Sequence, residues 1–241
     1  MNIKAQTIAL YAKQLRVPSF TRYEEVLRQH EQLGYEDFLI AVMKQELASR
    51  SANQQRRRIK QAGFPSEKTL EEFDLKRLKH VEEAFVHELA SCDFIRNRQN
   101  ILMIGNPGSG KTHLSIALGL RACQNGFRVK FTTSATLATM LVEAKDSKEL
   151  LKLERKLRKA DLLIIDELSY LSFNRHQSEL LFKVISDRAE KASVIISTNL
   201  EFSRWTELFE SPTLTAALVD RLTFRSHILN MNNPSYRMEN G

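Results

Sequence analysis

"MIGNPGSGKTH", residues 103 to 113, decides how the rest of this chain is read. Gly105-Asn106-Pro107-Gly108-Ser109-Gly110-Lys111-Thr112 fits the pattern G-x-x-x-x-G-K-[ST]. It follows the apolar run "ILMIG" at 101–105 and opens a helical stretch. That is the context in which this pattern cradles nucleotide phosphates. The glycines let backbone N–H groups turn inward around an anion, and the helix N-terminus beyond Gly110 adds the positive end of its dipole. Lys111 is expected to reach the β- and γ-phosphates, and Thr112 to ligate Mg²⁺.

Working outward, short apolar runs alternate with helical segments: "FRVKFTT" at 127–133, "DLLIID" at 161–166, "SVIIST" at 193–198 and "HILNM" at 227–231. Short, wholly apolar strands separated by helices predict an α/β fold, a parallel sheet covered on both faces. Open sheets of this kind bind ligands beyond the carboxyl ends of their strands. Asp166 closes the third run there, as a partner for Mg²⁺, and Glu167 follows, placed to polarise an attacking water. A carboxylate at that point favours hydrolysis over transfer to a second substrate. Asn199 ends the next run, where it can orient the water or touch the γ-phosphate.

The same cradle serves kinases, GTPase switches and assembly ATPases. A small-molecule kinase wants a second pocket and a mobile lid, which nothing in the sequence announces. A GTPase wants an N-K-x-D base reader, and none is present. In "ALVDRLTFRSHIL", Arg221 lies 22 residues after Asn199 on an expected helix before the last strand. An arginine there suits insertion into a neighbouring subunit's site, where such a finger accelerates hydrolysis by roughly 10³–10⁵. Arg225 and Arg188 are rivals for that role, and an ordinary salt bridge is the plain alternative.

The 241 residues fit one ordinary domain with a smaller one attached. Residues 1–62 are expected to form a helical adaptor domain, with Thr21 capping a helix and Glu24 reaching back to it. Gly63 and Pro65 open a connector over 63–75, and the main domain spans 76–241, with a first helical stretch from about 75 to 96. No apolar run approaches a membrane span, and the start lacks a signal-peptide pattern, so a cytoplasmic protein is expected. Cys92 and Cys123, the two cysteines, read as idle thiols, and the six histidines lack metal-ligand spacing. The formal charge of +7 is compatible with polyanion partners. From Lys145 to Lys159 the chain carries seven cations against three anions. Leu150, Leu153 and Leu157 share one helical face there, leaving Lys148, Lys152, Arg155, Lys156 and Lys159 mostly outward. A second basic cluster, "RRRIK" at 56–60, suits either DNA or simple solvation of a helix end.

From about residue 60 onward the chain resembles the IstB-like branch of the AAA+ ATPases, the transposition helpers of insertion sequences, kin to the DnaC helicase loaders. "AGFPSEKTLEEFD", "GNPGSGKTHLSIALG", "LLIIDELSYL", "STNLEFSRWTELF", "DRL" and the terminal "SYR" carry the resemblance. Ser169 and Ser172 replace the glycine and proline usual after the acidic pair. The resemblance implies an AAA+ core without the helical lid, with Arg237 of "SYR" a candidate to stand in for the lid's arginine. It implies ATP and Mg²⁺ as cofactors, ATP-dependent homo-oligomers, weakly sequence-specific duplex DNA bound through the basic helix, and a transposase as partner. A DnaC-like helicase loader is the alternative, and a small-molecule kinase a distant third.

Overall fold

The computed structural model describes residues 3–29, 34–168, 173–209 and 211–236. By contacts the chain divides into two compact units, Met1–Arg57 and Arg58–Gly241. The first unit is helical: α1 (Ile3–Gln14), α2 (Tyr23–Gln29) and most of α3 (Tyr35–Ala62). Its interior is small, with Ala12, Val26 and Val42 buried. Glu46 of α3 ties it together, accepting from Ser19 N at 2.8 Å and Arg50 Nε at 2.7 Å. Thr21 does not cap α2. It lies inside a 3-10 turn, Pro18–Arg22, and its hydroxyl donates to Pro18 O at 2.7 Å, because the preceding proline starts that turn early.

The last residues of α3 belong to the second unit: Ala62 is buried in its core and Ile59 packs against it. Nor does 63–75 hang free, since Leu70 is buried and Phe64 and Phe73 pack on the same core. The continuous helix expected from 75 to 96 is broken into a 3-10 turn, Leu75–Arg77, then α4 (Glu83–Ala90) and α5 (Asp93–Arg96). Cys92 between them adopts φ 66°, which no helix interior tolerates.

Next come β1 (Asn100–Ile104), α6 (Lys111–Gln124), β2 (Val129–Thr133), α7 (Ser134–Asp146), α8 (Leu150–Arg158) and β3 (Leu162–Asp166). They are followed by α9 (Arg175–Lys191), β4 (Ser193–Thr198), α10 (Thr206–Phe209), α11 (Pro212–Thr223) and β5 (Ser226–Asn230). The five strands form one sheet in the order β2-β3-β4-β1-β5, every pair parallel. Side chains of the central strands alternate between two cores. Ile101, Met103, Leu162, Ile164 and Ile195 enter the core under α6, and Leu102, Leu163, Ile165, Val194 and Ile196 enter the core under α7, α9 and α11. Burial on both faces is why these strands read as unbroken apolar runs. The pairings Ile104↔Thr198 and Thr133↔Asp166 bring the ends of β1, β4, β3 and β2 to one edge of the sheet. Among the described residues, no helix is long and apolar enough to cross a membrane.

Candidate nucleotide site

A cleft of about 450 Å³ opens at that edge. The cradle from Pro107 to His113 forms its floor, and Glu167, Ser197, Thr198 and Asn199 form one wall. Gly108 and Gly110 have φ of 79° and 97°, so both need glycine. A Cβ on Gly110 would sit 2.7 Å from Phe73 Cε2. Gly105 N donates to Thr198 O at 3.2 Å, which pins the start of the cradle to the tip of β4.

Lys111 is the first residue of α6 and only 8% exposed. Its ammonium is folded into the cradle, donating to Gly105 O at 2.6 Å and Asn106 O at 2.7 Å. Burial pushes its pKa down to about 8, partly opposed by the nearby Asp166 and Glu167 carboxylates.

Asp166 and Glu167 are consecutive, and in a continued strand they would point to opposite faces. Glu167 instead turns to φ 59°, a left-handed conformation that costs a non-glycine residue about 1–2 kcal/mol. The turn is clamped on every side. Glu167 N donates to Ser197 Oγ at 3.0 Å, Ser134 Oγ donates to Glu167 O at 2.8 Å, and Leu168 N donates to Ser197 O at 2.9 Å. The Ser197 hydroxyl in turn donates to Asp166 Oδ1. Asp166 is 3% exposed, whereas Glu167 lines the cleft, and both fields reach Lys111.

The other wall was not anticipated. Phe73, Asp74 and Arg77 come from the segment before β1, and Asn233, Pro234 and Tyr236 from the chain after β5. Tyr236 N donates to Gly108 O at 3.0 Å, Asn233 Oδ1 accepts from Lys79 N at 3.0 Å, and the Arg77 guanidinium lies over the Tyr236 ring at 5.0 Å. Phe73 also meets the His113 ring edge-on at 5.1 Å, and His113 Nε2 bonds Thr69 O at 2.8 Å. Arg237, Ser169 and Ser172 lie outside the described residues. No trio of His, Cys, Asp and Glu among the described residues could hold a metal by itself. Thr112 lines the cleft and, with Asp166, supplies hard oxygen donors of the kind Mg²⁺ takes alongside phosphates and water.

Residues 11–241 match the protein family described as IstB-like ATP binding protein. The chain belongs to this family. The ATP-binding protein of insertion sequence IS21 from Pseudomonas aeruginosa is 38% identical to it over 208 residues, 86% of this chain and 78% of that one. Among solved structures, AMPPCP-bound DnaA from Aquifex aeolicus superposes with a TM-score of 0.57 at 19% identity, over 70% of this chain and 51% of that one. The DnaC helicase loader gives a TM-score of 0.54 at 21% identity, over 68% of this chain and 96% of that one. At such identities the likeness is one of fold, the AAA+ P-loop core. Among the described residues of this IstB-like chain no lid helices follow β5, and the segment from Met231 to Tyr236 crosses the cradle instead.

None of the three candidate finger arginines lines its own cleft. Arg221, on α11, is half-exposed, pairs with Glu190 Oε1 at 3.1 Å and lies over the Phe182 ring at 5.4 Å. Arg225 is exposed, with its guanidinium over Phe224. Arg188 is unsuited to the role. It is 4% exposed and donates to Ala160 O at 2.7 Å and Ser193 O at 3.1 Å, tying the end of α8 to β4. Burial pushes its pKa down to about 10.

The basic helix is α8. Leu157 is buried and Leu150 and Leu153 pack on the core, whereas Lys148, Lys152, Arg155, Lys156 and Lys159 are exposed. Lys152 pairs with Glu149, while Lys148, Arg155, Lys156 and Lys159 have no ion-pair partner among the described residues. Two residues escaped notice in the sequence. Glu154 is buried on the inner face, anchored by Lys183 at 2.7 Å. Lys130 on β2 adds a cation beside the helix, its pKa held below the usual lysine range by burial and then by Lys156. In "RRRIK", Arg58 Nε donates to Cys123 O at 3.0 Å, while Arg56 and Arg57 are exposed. Cys92 and Cys123 are buried free thiols, and burial pushes Cys123 up to about 11.

Proposed function

We propose that this IstB-like chain is an ATP-driven assembly switch of insertion-sequence transposition. ATP occupies the cleft, with its phosphates on residues 105–112 and with Mg²⁺ held by Thr112 and Asp166. That ion would neutralise phosphate charge, while Lys111 reaches the β- and γ-phosphates, Glu167 orients the attacking water and Asn199 steadies the γ-phosphate side. Arg221 of a neighbouring copy completes the site. The ATP-bound assembly holds duplex DNA through the phosphate-facing cations of α8 and recruits or activates a transposase. The exposed Leu39, Met43 and Leu47 on α3 give the N-terminal unit an apolar face for a partner protein or sister subunit.

One observation carries this reading: the left-handed turn at Glu167 brings a second carboxylate to a phosphate cleft that none of Arg188, Arg221 and Arg225 of the same chain lines. A site built to hand phosphate to a second substrate has no use for a water-polarising carboxylate held at that cost. The test is fluorescence anisotropy of duplex and single-stranded DNA with ATP, ADP or no nucleotide, at one fixed salt concentration. Tight duplex binding with ATP alone is the expected result. A preference for single strands would instead favour a helicase loader, and no binding in any state would overturn both.

A further inference from the structure

Ser197 stands out once the chemistry of the cleft is assigned. It lies in β4, whose strand is otherwise apolar apart from its ends, and is 1% exposed. A buried hydroxyl needs partners, and here they are the two acidic residues of the site. The Ser197 hydroxyl donates to Asp166 Oδ1, and the same oxygen accepts the Glu167 N–H at 3.0 Å. A hydroxyl has one proton to give and two lone pairs to receive with, so a single side chain fixes the rotamer of one carboxylate and the backbone of the next. Ser193, the other buried serine of β4, serves differently: its hydroxyl donates to Phe94 O at 3.2 Å, away from the cleft.

We propose that Ser197 is a positioning residue for ATP hydrolysis, acting through Glu167 and Asp166 without touching nucleotide chemistry itself. The inference rests on the assignment of Glu167 as the group that orients the attacking water. Its physical content is the left-handed φ of 59° at Glu167. A non-glycine residue stays there only when its surroundings over-determine it. Ser197 accepts from the N–H of Glu167, and Ser134, at the start of α7, donates to its C=O at 2.8 Å. Without Ser197 the N–H loses its acceptor, the turn relaxes toward ordinary φ, and the Glu167 carboxylate swings off the line of attack. The Asp166 carboxylate, released from its donor, is free to rotate as well. The cradle and the opposite wall of Phe73, Arg77 and Tyr236 are untouched.

The experiment compares steady-state ATPase, ATP affinity and thermal midpoint for parent, Ser197→Ala, Ser197→Thr, Glu167→Gln and the double variant S197A/E167Q. Ser197→Ala is expected to lower kcat by about 10–100-fold, the loss a displacement of the reacting geometry by an ångström brings, with ATP affinity within about threefold of the parent. Ser197→Thr restores the hydroxyl and recovers most of kcat. In the E167Q background S197A removes nothing further, because the two changes break one arrangement. If S197A does not fold, Ser197→Cys, which keeps similar volume and only a weak donor, replaces it in the same comparison. A kcat within twofold of the parent for S197A, beside an inactive E167Q, overturns the inference and leaves the role of Glu167 standing. So does a loss confined to ATP affinity. Normal turnover by E167Q overturns the assignment of Glu167, and the inference falls with it.

Discussion

Lys111 offers a stability prediction whose sign follows from the structure. Lys111 is 8% exposed, and its pKa falls from 10.5 to about 8. Below pH 8 both the folded and unfolded chains hold the proton, so the fold carries the full cost of the buried charge. Between about 8 and 10.5 the unfolded chain binds a proton that the folded chain has released, and stability therefore rises with pH. From pH 8 to 10 the gain is at most about 2.7 kcal/mol, at about 1.36 kcal/mol per pH unit. Water reaching the open cleft screens part of the cost, so about 1–2 kcal/mol is expected. Lys111→Met is the reference. It leaves Gly105 O and Asn106 O without their donor, a loss that does not vary with pH and cancels from the slope. Lys130 and the raised thiols titrate alike in both proteins and cancel too. Urea denaturation at 25 °C, nucleotide removed, at pH 7, 8, 9 and 10 gives the two curves. The parent should gain on K111M steadily above pH 8. Parallel curves, or a parent that loses ground, would refute the argument.

Three other outcomes follow from particular contacts. Gly110→Ala places a Cβ 2.7 Å from Phe73 Cε2 at a φ of 97°, so ATP affinity by equilibrium titration should drop at least 100-fold while the second unit stays folded. Arg188→Ala removes a buried cation that four carbonyls share, and of these Leu157 O keeps a backbone donor while Ala160 O loses its 2.7 Å partner, so chemical denaturation should show a loss of about 3–5 kcal/mol, with no specific change in the ATPase of the folded fraction. Arg155→Glu with Lys156→Glu reverses two exposed cations of α8; duplex affinity should fall at least tenfold and the log–log salt slope flatten by about 2, near 0.9 per phosphate contact. An unchanged slope would remove α8 from the DNA path.

The readings that succeeded from sequence rest on neighbouring residues. A glycine-rich loop between an apolar strand and a helix defines its own backbone, so the turn of residues 105–112 and the place of Lys111 at the head of α6 are legible without a fold. Five apolar runs spaced by helices imply a parallel sheet, and a sheet puts Asp166 and Asn199 at one edge. The readings that failed are those in which a side chain takes a partner other than the one its sequence pattern suggests. Thr21 has a capping sequence, yet Pro18 recruits it to a different turn. Arg188 has the look of a free cation, yet the carbonyls of Ala160 and Ser193 surround it.

One signal was available and unused: a serine at position 197 in a strand buried on both faces must have a polar partner. Which partner could not be read, because Ser197 and Asp166 stand 31 residues apart and meet only since β4 pairs with β3. The wall opposite Glu167 has the same origin. Phe73 and Tyr236 flank one cleft because β5 lies beside β1 and returns the chain across the cradle. Sequence by itself determined the form of the cradle at 105–112, since that form is carried by contiguous backbone and its immediate neighbours. Tertiary structure alone decided how the carboxylates are held, which arginine is structural and what lines the rest of the cleft. Those depend on the strand order β2-β3-β4-β1-β5, which emerges from the packing of two whole cores and is written in no single segment.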